Sequence, residues 1–83
     1  MILQGPVKTE KAILMIDNDN ALTFNVVQSS TKKQIQDEVE RLFEVKVASV
    51  RTSITSKGQK RAVVRLAKEF KADDVAGKLK IVA

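Results

Sequence analysis

Two runs of β-forming residues, Val45 to Thr55 and Lys60 to Leu66, are separated by only four residues, Ser56-Lys57-Gly58-Gln59. Parallel strands need a crossover of a dozen residues or more, so this link makes the two runs an antiparallel hairpin. Gly58 is available for the positive φ that such a turn uses. Lys60 to Leu66 alternates strictly, with Ala62, Val64 and Leu66 on one side and Arg61, Val63 and Arg65 on the other. In the first run the apolar phase shifts between Val47 and Val50, which predicts a bulge near Ala48-Ser49.

The rest of the chain supplies a third strand and helices to cover the sheet. Ala21 to Val27 alternates, with Leu22, Phe24 and Val26 on one face and Thr23 and Asn25 on the other. Thr31 and Gln34 form a capping box, and Ile35, Val39, Leu42 and Phe43 follow as one apolar helical stripe. Asp37 and Arg41 are spaced as an ion pair on the exposed side. Met1 to Pro6 reads as extended, with a short extra strand at Ile2-Leu3. Thr9 caps a helix from Glu10 to about Asp17 that carries Ile13, Leu14 and Ile16 toward the core and is broken by Asp17-Asn18-Asp19-Asn20. A last helix, roughly Ala72 to Leu79, has Asp73-Asp74 first and Lys78 and Lys80 last, with Gly77 costing about 1 kcal/mol relative to alanine. The fold class is α+β: a two-layer sandwich, an antiparallel sheet of three to four strands with helices packed on one face. At 83 residues, this is one domain, residues 1–83.

Charge is distributed unevenly over this frame. Eight of the fifteen basic residues fall between Lys46 and Lys71, where Glu69 is the sole acid, so that window carries +7 and the remainder −2. A focused positive field suits a phosphate-bearing partner. Catalysis is disfavoured by inventory, since the chain has neither His nor Cys and its paired acids are sequence neighbours that diverge on a helix. The reading is therefore a non-enzyme with no cofactor, no metal site and no small-molecule substrate. Ala12 to Ile16, the longest apolar run, is far short of the ~18 residues a membrane span requires. The lack of cysteine is in keeping with a cytoplasmic setting.

The hairpin from Arg51 to Arg65 offers cations but no aromatic ring, and the chain's three phenylalanines include Phe24 and Phe43 on core faces. Stacking on splayed bases is thus disfavoured, whereas phosphate and sugar contact with a mostly double-helical RNA fits. Arg51, Lys57, Lys60, Arg61 and Arg65 are the candidate contacts, with Thr52, Ser53 and Ser56 as added hydroxyl donors. Lys32 and Lys33 open a helix, where cations oppose the dipole, which hints at a nearby phosphate. Two other classes stay open on this reading: a small basic chromatin-type protein, and a protein-interaction module with an acidic partner.

Pro6-Val7-Lys8-Thr9-Glu10-Lys11 resembles the signature that opens ribosomal protein twenty-three of the large subunit. Thr31-Lys32, Ile35, Val39, Phe43-Glu44-Val45-Lys46-Val47, Val50 and Thr52 are similar to that family's central block, and Lys57-Gly58, Lys60, Ala62, Val64 and Leu66 to its closing strand. The resemblance implies a cytoplasmic, ribosome-bound protein on large-subunit rRNA at the polypeptide exit tunnel, beside neighbouring ribosomal proteins. It also implies docking of factors such as signal recognition particle. Thr31, Lys32, Thr52 and the basic hairpin match rRNA-facing positions, and Glu10 matches the residue used for a factor contact in bacteria. The four-residue turn replaces the long tunnel loop of bacterial members, and the basic N-terminal extension of eukaryotic members is absent, which together imply an archaeal-type form.

Overall fold

The computed structural model describes residues 2–78. Its elements are β1 (Leu3–Pro6), α1 (Glu10–Asp19), β2 (Ala21–Val26), α2 (Lys32–Phe43), β3 (Val47–Ile54), β4 (Lys60–Leu66) and α3 (Ala72–Lys78). The expected reach of the last helix to Leu79, and Lys80 beyond it, fall outside the described residues. All strand pairings are antiparallel, in the order β1-β2-β4-β3. The α+β architecture is the expected one, with four strands.

The hairpin forms as its spacing requires. Gly58, at φ +83°, donates to the Thr55 carbonyl at 2.9 Å to close the turn. The β3–β4 register slips between Val47 and Ser49, at the anticipated bulge. Leu22, Phe24 and Val26 of β2 share one face with Ala62, Val64 and Leu66 of β4, and all six are buried. Onto that face α2 brings Ile35 and Val39, and α3 brings Ala72, Val75 and Ala76. The capping box of α2 is complete: Gln34 N–H donates to Thr31 Oγ1 at 3.2 Å, and Thr31 N–H to Gln34 Oε1 at 2.9 Å. Ile16 of α1 joins this core, while Met15 reaches to the opposite side of the sheet among Ala21, Val63 and Arg65.

Four local expectations are corrected by tertiary contacts. The Asp17–Asn20 segment does not end α1 at Asp17; the helix runs to Asp19, and Asn20 closes it in the left-handed conformation, which Asn tolerates. Asn20 then joins distant parts of the chain, its amide donating to Phe70 O at 2.8 Å and its carbonyl accepting from Ala72 N–H at 2.7 Å. Leu14 is exposed, because α1 turns Ala12 and Ile16 inward. Leu42 is also exposed, since the last turn of α2 overhangs β1 and leaves an open groove with Leu3, Pro6 and Phe43. Phe43 is half-buried and stacks on Phe24 at 5.9 Å between ring centroids.

The fourth correction concerns charge. Arg41 pairs not with Asp37 but with Glu38, at 3.1 Å. Glu38 is drawn into place by two strand amides, accepting from Ile2 N–H at 2.7 Å and Leu3 N–H at 3.1 Å. These contacts pin β1 to α2. The Leu3 amide leads, with Ile2 and Arg41 assisting against partial desolvation, in holding the carboxyl below its ordinary value near 4.5. A depressed folded pKa gives stability that is full above the unfolded value and is lost as pH falls through the folded one. Melting of the wild type should therefore drop more steeply below about pH 4.5 than melting of Glu38→Gln, read by circular dichroism across an acid series.

Candidate nucleic-acid interface

The face of the sheet turned away from the α2–α3 core is built from odd-numbered residues of β2, β3 and β4. Register places Ala21, Arg65 and Ser49 in one row, Thr23, Val63 and Arg51 in the next, and Asn25, Arg61 and Ser53 in the third. Paired residues project to the same side of a sheet, so Arg51, Arg61 and Arg65 stand together on this outer face. Arg61 and Arg65 lie roughly 13 Å apart along β4, from the rise per strand residue. Arg51 sits one strand over and between them in height. Arg51 and Arg65 are exposed and Arg61 is half-buried. The single ion pair among the described residues is Arg41–Glu38, on α2, so it neutralises none of the three.

Two hollows flank α1 on this face. In one, Asp19 and Met15 meet Ser49, Arg51 and Arg65. In the other, of about 140 Å³, Thr9, Lys11 and Met15 of α1 and its cap face Thr23, Ser53, Arg61 and Val63 of the sheet. Surface of this kind, cationic with hydroxyls interspersed and no ring, can hold phosphate and sugar but offers no stacking platform.

The other anticipated contact residues divide into groups. Lys57 is exposed at the hairpin turn, and the Gln28 amide donates to the Gly58 carbonyl, which ties that turn to the segment before α2. Lys60 points to the opposite side from Arg61, and its ammonium donates to Ser30 O at 2.7 Å and Gln28 O at 3.2 Å. Its first task is therefore to dock the hairpin against the entry to α2. That docking brings Thr31, Lys32 and Lys33, all exposed, to the same end of the molecule as Lys57. Thr31 spends its hydroxyl on the helix cap. Thr52 lies across from Ala62, on the face away from the arginines, and is half-buried.

Glu10 is exposed in the first turn of α1. The residues on either side of it, Thr9 and Lys11, line the hollow that also contains Arg61. Glu10 is therefore next to the arginine face in space, despite its distance in sequence. Sequence reasoning missed Lys11 and Met15, which carry no local signal. Thr23 and Asn25 were legible only as the polar half of an alternating strand.

Among the described residues no cluster of His, Cys, Asp or Glu has metal-binding geometry, and no helix is long and apolar enough to cross a membrane. The family model described as ribosomal protein L23 matches residues 1–75. The large ribosomal subunit protein uL23 of Methanothermobacter thermautotrophicus is 46% identical over 78 residues, covering 94% of this chain and 91% of that protein. The uL23 protein of Pyrobaculum aerophilum is 47% identical over 76 residues, covering 92% and 94%. Matched nearly end to end in this way, the chain belongs to the ribosomal protein L23 family, whose members are structural ribosomal proteins and not enzymes.

Proposed function

We propose that this protein is a ribosome-bound component of the large subunit, acting as one rRNA-binding domain in the cytoplasm. It grips large-subunit rRNA near the polypeptide exit tunnel through the outer face of its sheet. The observation that carries this reading is the set of three arginines, Arg51, Arg61 and Arg65, gathered on one sheet face without an ion-pair partner among the described residues. Lys57, Lys32 and Lys33 extend the positive surface toward one end, with Thr31 adjoining them and Lys60 bracing the hairpin beneath, whereas Thr52, on the opposite face, is not part of this grip. Membership of the family and the names of the archaeal relatives support assembly with rRNA and neighbouring ribosomal proteins.

Glu10 is assigned to factor docking, with signal recognition particle as the partner implied by the opening motif Pro6 to Lys11. Its exposure at a helix start leaves the carboxylate free to meet a basic partner and to set encounter rate and register. Tagged protein should sediment with large subunits, and nuclease digestion of the rRNA should release it. Co-sedimentation that persists after complete digestion would instead indicate a purely protein-held position.

A further inference from the structure

Three buried polar side-chain atoms among the described residues have no hydrogen-bond partner: Thr23 Oγ1, Asn25 Oδ1 and Arg61 Nε. All three belong to the outer face. Asn25 lies directly across from Arg61, and Thr23 is two residues along the same strand. Buried polar atoms are nearly always bonded, so three orphans on one small surface point to a partner that arrives from outside. Thr23 keeps only 8% of its surface exposed and lines the 140 Å³ hollow between the start of α1 and the sheet.

The chemistry of the hollow narrows what can enter. Its volume is well below the ~300–1,000 Å³ of sites that enclose a whole small molecule, so it suits one unit of a larger ligand. Lys11 and Arg61 line it as cations, which favours a phosphate at its mouth. A phosphate can accept from Lys11, Arg61 and the Thr23 hydroxyl, but it leaves Asn25 Oδ1, across from Arg61 at the edge of the hollow, without a donor. An acidic side chain fails for the same reason. A ribose 2′-hydroxyl both donates and accepts, and it lies beside a phosphate in every RNA strand. Ala12, Met15 and Val63 then provide apolar wall for the sugar carbons.

We propose that this hollow seats one ribose of the bound RNA, its 2′-hydroxyl accepting from Thr23 and donating to Asn25 at the edge, and its adjoining phosphate held by Lys11 and Arg61. The inference rests on the rRNA reading of the arginine face and deepens it. The site distinguishes RNA from DNA, which the arginines by themselves do not.

The test uses the full chain and the large-subunit rRNA fragment it protects from hydroxyl-radical cleavage. That fragment is synthesised with single 2′-deoxy replacements at each protected nucleotide. One replacement should weaken wild-type binding roughly 2–10-fold, the range for one neutral hydrogen bond. Thr23→Val should lose the same factor on the unmodified RNA, show no further loss with that replacement, and keep the wild-type salt slope. Thr23→Ser, which retains the hydroxyl, should recover the sensitivity. If no replacement affects wild-type binding, or if the sensitive one weakens Thr23→Val equally, the ribose assignment is overturned and Thr23 is satisfied by water. Such a result, alongside normal loss of binding on removing the arginines, would leave the arginine face standing. Failure of the wild type to bind any rRNA would overturn both.

Discussion

Replacing Arg51, Arg61 and Arg65 together by glutamine should weaken binding to a large-subunit rRNA fragment roughly 60–200-fold at about 0.15 M salt. The figure follows from counterion release, in which each neutralised phosphate adds about 0.7–0.9 to the salt slope and so roughly 4–6-fold in affinity at that concentration. The slope itself should fall by roughly 2–3 across a salt titration. The three side chains share the outer face and make no ion pair among the described residues, so the substitutions should leave the fold intact. Lys60→Ala provides the contrast within the same charge window. Its ammonium is bonded to Gln28 and Ser30 carbonyls, so its removal should lower the melting temperature more than the salt slope. A slope unchanged by the triple substitution, with normal circular dichroism, would move the RNA surface elsewhere.

The largest stability effect should come from Phe24→Ala. Phe24 is 2% exposed, the largest of the fully buried side chains, and it carries the stacked Phe43 ring. Truncating a buried phenylalanine costs about 3–5 kcal/mol. The whole stability of an 83-residue chain is on the order of 4–12 kcal/mol. Urea unfolding should therefore show a midpoint shifted far toward zero, with some of the protein unfolded at 37 °C. Phe43→Ala should cost less, about 1–3 kcal/mol, because that ring is only half-buried. Equal losses at the two positions would contradict this ranking. Phe24 faces away from the arginines, so RNA affinity measured on the folded fraction should not change.

The difference between Phe24 and Phe43 marks the boundary of what local pattern conveys. Period-2 alternation in Ala21–Val26 and Lys60–Leu66, the Thr31–Gln34 capping box and the Gly58 turn are determined by neighbours within a few residues, and each is legible from the chain. Leu42 has the spacing of a core residue, yet its burial depends on what lies over it, and β1 is too short to cover it. Asn20 and Glu38 have roles decided by partners 35 to 52 residues away. No window of local sequence contains those contacts.

The candidate site shows the same division. Strict alternation along β4 correctly put Arg61 and Arg65 on one face away from the core. Arg51 could not be placed with them by phase alone, since the bulge at Val47–Ser49 resets the alternation of β3. Lys60 and Arg61 are adjacent and equally basic in the sequence, yet one braces a loop and the other faces outward. A net charge of a window counts both alike. The hollow beneath Arg61 needs α1 folded over the sheet, so Lys11 and Thr23 become neighbours only in three dimensions.

The chain contains no cysteine, which permits a direct test of which face meets the rRNA. A hydroxyl-radical-generating iron chelate can be tethered at Ser49→Cys, on the outer face beside Arg51 and Arg65, or at Asp37→Cys, on the exposed side of α2. Each derivative is incorporated into large subunits, and cleavage of the rRNA is mapped by primer extension. The account predicts strong, localised cleavage from position 49 and little or none from position 37. Strong cleavage from position 37 with none from position 49 would contradict it.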